Sequence, residues 1–200
     1  MSDRITTKSK YKVIKSGNID YSDNTKVLQP KIDGSHSIFE LNSNKPNDIY
    51  SYRVSKKTGE TIDHSNQVPR LRDLEIPNQF NKTILRGELY ATAHGKPLPA
   101  ESIGGILNSS VEKSIQKQRQ EGELKPYIYD IIKYKGENVE NEPYREKLDM
   151  IQNIHAVVPK LQVAETAFTP EQKRRLVEKI KSGKRQWRWS RQGPGCAAGG

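Results

Sequence analysis

The stretch Val27–Leu41 constrains the fold more than any other part of the chain. Its sequence is V-L-Q-P-K-I-D-G-S-H-S-I-F-E-L, with apolar, β-prone pairs on both sides of a polar centre that holds Lys31, Asp33 and Gly34. Apolar runs around a glycine-containing break predict a strand, a tight turn and a second strand. Glycine at the break can adopt a positive φ or let the backbone approach a ligand closely. We therefore expect a hairpin with a lysine beside its turn.

Lys31 stands two residues before a carboxylate, in the pattern K-x-D-G. A lysine amine is nucleophilic in its neutral form, which desolvation or neighbouring cations favour. The position therefore suggests a covalent catalyst. A surface hairpin with a solvated lysine and an Asp-Gly turn explains the same residues, so this pattern alone leaves both interpretations open.

Strands and helices mix irregularly along the rest of the chain. The patterns predict strands at 11–14, 49–54, 60–62, 83–91, 126–132 and 160–167, and helices at 101–120, 143–156 and 170–181. The last helix has the clearest start, an N-cap at Thr169 followed by Pro170, and it ends at Gly183. Elements without a strict β-α-β alternation indicate an α+β fold.

Several motifs occur together and in order. Val27–Leu41 resembles motif I of the nucleotidyltransferases that form lysyl-nucleotide intermediates, which are DNA ligases, RNA ligases and mRNA capping enzymes. Tyr52–Ser55, followed by T-G-E, resembles the arginine-bearing strand of that family. Leu85–Leu89 is similar to motif III, and Tyr127–Ile131 is similar to motif IIIa. Ser102–Ile115 is similar to a helix start in small ATP-dependent DNA ligases of phage, archaeal and bacterial type.

The resemblance covers roughly residues 26–184 and implies the adenylation domain of an ATP-dependent DNA ligase. The implied fold is an α+β nucleotidyltransferase with antiparallel sheets and flanking helices. The implied reaction is attack of Lys31 on the α-phosphate of ATP, then transfer of AMP to the 5′-phosphate of nicked double-stranded DNA. Such in-line displacements depend on positioning and charge neutralisation. Mg²⁺ is the expected metal, since it needs few carboxylates beside phosphate oxygens and water.

The resemblance also implies a set of nucleotide-contacting residues. Glu88 is expected to bind the ribose or the metal, Tyr129 to stack on adenine, and Arg53 to contact a phosphate. Gln29 can offer its amide to the N6 edge of adenine, and Asp33 would orient the lysine loop. An exposed strand glutamate, a core aromatic and a simple turn former are the alternatives for Glu88, Tyr129 and Asp33. The predicted site is the catalytic Lys31 with Gln29, Ile32, Asp33, Gly34, His36, Arg53, Glu88 and Tyr129, of which Glu88 is the metal ligand.

The chain departs from the family pattern in three places. His36 stands where K-x-D-G-x-R has arginine, and Tyr129 stands where phenylalanine is commoner. Histidine can still donate to a hydroxyl or a phosphate, and tyrosine presents the same π face. Motif IV, motif V and the C-terminal OB-fold do not follow Lys184. We therefore expect a chain with motifs I, III and IIIa only, truncated before motif IV.

Composition and charge define three segments: a polar N-terminal arm over 1–25, a partial adenylation domain over 26–185 and a tail over 186–200. Residues 170–200 hold nine lysines and arginines and two glutamates, so the net charge of +10 belongs mostly to this end. The tail contains both tryptophans but no apolar periodicity, which predicts disorder. Its W-R-W-S-R run could also stack on bases or lie on a membrane surface.

The remaining composition narrows the class of protein. Mean hydropathy is −0.88, no run of 18 apolar residues occurs, and Met1–Lys8 shows no secretory signal. The single Cys196 excludes an internal disulfide framework and a cysteine-based zinc site. We expect a cytoplasmic, monomeric protein of a prokaryote or virus. RNA ligase, capping nucleotidyltransferase and a non-catalytic nucleotide- or nucleic-acid-binding fragment remain as alternatives, with Gly104–Ile115 favouring DNA ligase.

Overall fold

The computed structural model describes residues 3–184 and 188–192 of the 200-residue chain. The strands are β1 Tyr11–Val13, β2 Leu28–Lys31, β3 Ser35–Leu41, β4 Asp48–Val54, β5 Thr61–Asp63, β6 Thr83–Tyr90, β7 Thr92–Ala93, β8 Lys96–Pro97, β9 Lys125–Tyr134, β10 Glu137–Asn138, β11 Gln162–Val163 and β12 Arg188–Gln192. The helices are α1 Pro69–Arg72, α2 Ala100–Leu107, α3 Val111–Glu121, α4 Tyr144–Val157 and α5 Pro170–Lys179. Within this part of the chain, no helix is long and apolar enough to cross a membrane.

A central, mainly antiparallel sheet has the strand order β10-β9-β6-β3-β4-β5, and β11 pairs in parallel with β9. Residues alternate between its faces, as a strand requires. On β6, Leu85 and Leu89 belong to the main core, which also contains Ile103 of α2 and Ile151 of α4. Helices therefore cover one face of an antiparallel sheet, and the predicted α+β class is confirmed.

The opposite face of the central sheet carries polar and aromatic side chains and is covered by the N-terminal arm. Ile5 packs against a cluster that includes Ile38 and Ile84, and its N–H donates to the Tyr50 hydroxyl at 2.9 Å. The short strand predicted near residue 11 is present as β1. The arm is thus part of the packed structure, while the boundary predicted at residue 25 stays a prediction.

The expected hairpin in Val27–Leu41 is wrong. Strand β3 belongs to the central sheet, whereas β2 lies at the edge of a second sheet with the order β1-β12-β2. The chain crosses between the sheets at Ile32–Gly34, and Ile32 is buried against Tyr127 and Tyr129. A Cβ at Gly34 would overlap the carbonyl oxygen of Leu89, so the glycine provides the close approach expected of it, to a neighbouring strand.

The C-terminal segment differs from the expectation of disorder at residues 188–192. Strand β12 lies between β1 and β2 and pairs antiparallel with both, with Arg188 opposite Lys31. An open strand edge accepts a further strand through backbone hydrogen bonds, which need no apolar periodicity in the added segment. Residues 185–187 and 193–200 of the predicted tail lie outside the described residues.

One predicted helix and one predicted strand differ from the structure, whereas the start of α5 is confirmed. The helix predicted over 101–120 is two helices, because Ser110 begins a new one by accepting a hydrogen bond from the Lys113 N–H. The strand predicted over 160–167 is limited to β11 and one bridge, between Leu28 and Ala167. The start of α5 is as predicted, with Thr169 in a reciprocal capping box.

Candidate active site

A cavity of about 260 Å³ lies between the N-terminal arm, the end of β2 and the polar face of the central sheet. Five of the nine predicted site residues line it: Lys31, Ile32, His36, Glu88 and Tyr129. The other lining residues, which were not predicted from the sequence as site residues, are Lys8, Ser9, Tyr11, Val13, Pro30, Tyr52 and Tyr127. The sheet therefore supplies the floor of the cavity, and the arm supplies a wall that motif matching missed.

Lys31 is the last residue of β2, so its amine projects where one sheet gives way to the other. Its Nζ lies 3.8 Å from Oδ1 of Asp33, and the two side chains are 31% and 37% exposed. The contact fits the predicted role of Asp33 in orienting the lysine. An accessible amine at a cavity wall can meet a bound electrophile, which an amine buried in a closed ion pair cannot.

Glu88 is the acidic group of the cavity and is only 6% exposed. Its Oε1 lies 3.1 Å from Nδ1 of His36, whereas its Oε2 is buried and has no hydrogen-bond partner within the described part of the chain. Gly34 lies against this second oxygen. A buried carboxylate oxygen without a partner is costly, so it is a ready acceptor for a ligand hydroxyl or a cation.

Tyr129 lies at the centre of an aromatic cluster in the cavity. The centroid of its ring lies 4.5 Å from that of Tyr11 and 5.3 Å from that of His36, and the Tyr52 ring lies 5.2 Å from His36. The Tyr129 hydroxyl is hydrogen-bonded to Nε2 of His36. Burial, and next the charge of Glu88, raise the pKa of Tyr129 well above its ordinary value. The hydroxyl is therefore a neutral donor.

Two predicted residues face away from the cavity. Gln29 is buried, and its Nε2 donates to the Tyr144 hydroxyl at 2.5 Å and to Thr166 Oγ1 at 2.8 Å. Arg53 is exposed on β4, and its neighbour Tyr52 lines the cavity instead. Their predicted contacts with adenine and phosphate stay predictions. The amide nitrogen of Gln29 already donates its hydrogen bonds to other residues of the protein.

A buried arginine fastens the arm to the sheet. Arg86 is 1% exposed; its guanidinium donates to the Thr7 carbonyl at 2.7 Å and to Thr7 Oγ1 at 2.9 Å, and it pairs with Glu140 at 3.3 Å. Thr7 directly precedes the arm residues that line the cavity. Only the charge in L-R-G-E-L signalled an unusual position, because nothing in the sequence links residues 79 apart.

The donor set for a metal is sparse. No cluster of three or more metal-ligating side chains occurs among the residues that the structure describes. Among the described residues, Glu88 contributes one carboxylate oxygen without a hydrogen-bond partner, and Asp33 lies near Lys31. This set fits a cation that completes its shell with water and phosphate oxygens, as Mg²⁺ does.

Comparison with known proteins identifies the family. Residues 9–184 match the model of the ATP dependent DNA ligase domain. A DNA ligase of Methanocorpusculum labreanum is 28% identical over 130 residues, which are 65% of this chain and 22% of that protein.

Solved structures share the fold. The ligase domain of M. tuberculosis LigD superposes with a TM-score of 0.56 at 15% identity, over 84% of this chain and 47% of that one. A mycobacterial DNA ligase D complexed with ATP and MES superposes with a TM-score of 0.56 at 15% sequence identity. The match covers 88% of this chain and 54% of that one. The chain thus spans about half of these structures and about a fifth of the curated relative. The family match over most of its length shows that the chain belongs to the ATP-dependent DNA ligase domain family.

Proposed function

We propose that this protein transfers AMP from ATP to Lys31, as the first step in sealing nicked double-stranded DNA. The observation that carries the proposal is the cavity itself. It brings an accessible amine, an unpaired buried carboxylate oxygen and an aromatic cluster together in one small space. Those three groups match the three parts of a nucleotide that the reaction must hold: the α-phosphate, the ribose and the base.

The step proceeds by displacement at phosphorus. The lone pair of the Lys31 amine forms a bond to the α-phosphorus of ATP, the bond from that phosphorus to the bridging oxygen breaks, and pyrophosphate leaves. The amine loses a proton, and a lysyl-AMP phosphoramidate remains. Oδ1 of Asp33 lies 3.8 Å from the amine and orients it for attack.

Glu88 and Tyr129 hold the nucleoside. Oε2 of Glu88 accepts a hydrogen bond from a ribose hydroxyl, and the Tyr129 ring offers a π surface to adenine. Glu88 and Asp33 are also the groups that would hold Mg²⁺, which neutralises charge on the polyphosphate when it is bound. The ATP complex of mycobacterial DNA ligase D, which has the same fold, supports the choice of nucleotide.

The DNA substrate is proposed on the family match. Passage of AMP to a 5′-phosphate and its displacement by a 3′-hydroxyl would complete the sealing. A monomeric state and a cytoplasmic location in a prokaryote or virus are parts of the same proposal.

Labelled nucleotides test the proposal. The full chain is incubated with Mg²⁺ and either α-³²P-ATP or α-³²P-GTP, and label that survives denaturation is counted. We expect label from ATP only, and its release on addition of pyrophosphate. Label from GTP only would favour capping chemistry, and no covalent label from either would favour a binding module without turnover.

A further inference from the structure

His36, Tyr129 and Glu88 form a continuous hydrogen-bonded chain along the cavity wall. The His36 ring meets the Tyr129 hydroxyl through Nε2 and Oε1 of Glu88 through Nδ1, the latter at 3.1 Å. His36 and Tyr129 are also the two motif positions that depart from the family pattern. The two departures are therefore in direct contact, which suggests that they act as a pair.

The direction of the hydrogen bonds follows from the chemistry of the three groups. The carboxylate of Glu88 can only accept, so Nδ1 of His36 donates to it, and the Tyr129 hydroxyl donates to the Nε2 lone pair of the same ring. Ser9 also hydrogen-bonds with Tyr129. A ring that accepts at Nε2 carries its proton at Nδ1, and it therefore donates from Nδ1 to Glu88. The hydroxyl thus supports the tautomer that occupies one carboxylate oxygen and holds the ring at its other nitrogen.

The second oxygen of Glu88, Oε2, remains available to a ligand. It is buried beside Gly34 and lacks a hydrogen-bond partner among residues 3–184 and 188–192. A carboxylate held by one oxygen has little freedom to rotate, so its other oxygen stays at a defined position. Preorganised acceptors of this kind bind a ligand without first having to be ordered.

We propose that His36 and Tyr129 are positioning residues that hold Glu88 with Oε2 presented to a ribose hydroxyl of the nucleotide. The inference rests on the proposed function and deepens it. It gives the Tyr129 hydroxyl a task of its own, separate from stacking by the ring. Stacking alone predicts that phenylalanine serves equally well at residue 129, so the two accounts differ in a measurable way.

The first test is a rescue experiment in the full chain, with adenylation of Lys31 as the readout. Tyr129→Phe should raise the KM for ATP about tenfold with kcat little changed, since a hydrogen bond to a charged group loses its support. His36→Arg pairs with the carboxylate directly and needs no hydroxyl. Tyr129→Phe should therefore have no further effect on KM in the His36→Arg background. Tyr134→Phe, on the same strand but outside the cavity, is the matched control.

The second test does not depend on catalysis. In ¹⁵N NMR of the nucleotide-free protein, His36 should show the Nδ1–H tautomer, and the share of this tautomer should fall in Tyr129→Phe because the donor at Nε2 is lost. An unchanged KM together with an unchanged tautomer would overturn the proposal while leaving the proposed function standing. If even the unmodified chain forms no adenylate, the proposed function fails, and the response of the tautomer to Tyr129→Phe alone decides the positioning role.

Discussion

The ring of Tyr11, from the N-terminal arm, lies against the ring of Tyr129 with centroids 4.5 Å apart and planes inclined at 69°. Tyr129 is only 6% exposed as a result of this and its other contacts. A base that stacks on Tyr129 needs an open ring face. Tyr11 therefore covers part of the Tyr129 ring, and stacking of adenine at that surface would require the arm to shift.

Removing the Tyr11 ring should strengthen nucleotide binding. Tyr11→Ala deletes an aromatic pair that adenine stacking on Tyr129 would displace, and such pairs contribute about 0.5–1.5 kcal/mol. We expect the Kd for ATP, measured by calorimetry, to fall by up to about tenfold. Lys12→Ala, at an exposed neighbouring position, should leave it unchanged. Weaker binding by Tyr11→Ala would instead make Tyr11 a part of the binding surface.

The stability of the N-terminal arm should depend on its pairing with strand β12. In the described part of the chain, β1 pairs with β12 alone, so deletion after Lys184 leaves β1 without a strand partner. We expect a lower melting temperature and faster trypsin cleavage between Lys8 and Lys15 than in the full chain. Deletion of residues 193–200, which keeps β12, is the matched control. Equal behaviour of the two truncations would contradict the pairing.

Gly34 should tolerate no side chain. A Cβ at this position would overlap the Leu89 carbonyl oxygen and press on Oε2 of Glu88. We expect Gly34→Ala to lower the free energy of unfolding in urea and to abolish adenylation. Gly105→Ala is the control, because that Cβ meets nothing within 4 Å and alanine favours a helix by about 0.5–1 kcal/mol. A stable and active Gly34→Ala variant would show that β3 can move away from β6.

Acid should destabilise the protein through a buried histidine. His64 is 4% exposed, and burial lowers its pKa below the ordinary 6.5. At a pH between the lowered pKa of the folded state and the ordinary pKa of the unfolded state, the unfolded chain binds more protons than the folded one. The free energy of unfolding therefore falls as pH drops below about 6.5. Urea midpoints measured from pH 7.5 to 5 should show this slope, and His64→Gln should flatten it.

A matched histidine separates this effect from general acid denaturation. His94 is exposed, with a φ of 51° that asparagine also accepts. His94→Asn should therefore keep the slope of the unmodified chain. If His64→Gln leaves the slope unchanged as well, the carboxylates rather than His64 control the acid response.

The sequence was informative where chemistry is local. K-x-D-G singled out Lys31 and Gly34, because a lysine beside a carboxylate and a glycine at a break each leave a local signature. The hairpin predicted around them was wrong, since the two residues lie where the chain passes between two sheets. The N-cap at Thr169 was predicted for the same reason, and the structure adds the reciprocal bond to the Gln172 side chain. Motif order then linked Glu88 and Tyr129, which are 41 positions apart in the printed sequence, to the same site.

Long-range pairing is what the sequence could not provide. Nothing near Arg86 indicates that it binds Thr7, and nothing near Tyr11 indicates that it packs on Tyr129. Strand β12 pairs with β1 and β2 through its backbone, and backbone pairing requires no apolar periodicity in the sequence. These contacts depend on which strand edges are open after the sheets have formed, and that information is not local.

The most direct test of the central claim is the mass of the Lys31 peptide. The full chain is incubated with ATP and Mg²⁺, digested and analysed by tandem mass spectrometry, with Lys31→Ala and Lys26→Ala treated in parallel. We predict an AMP adduct on Lys31 in the unmodified chain and in Lys26→Ala, and no adduct in Lys31→Ala. An adduct on another lysine, or an undiminished adduct in Lys31→Ala, would contradict the account.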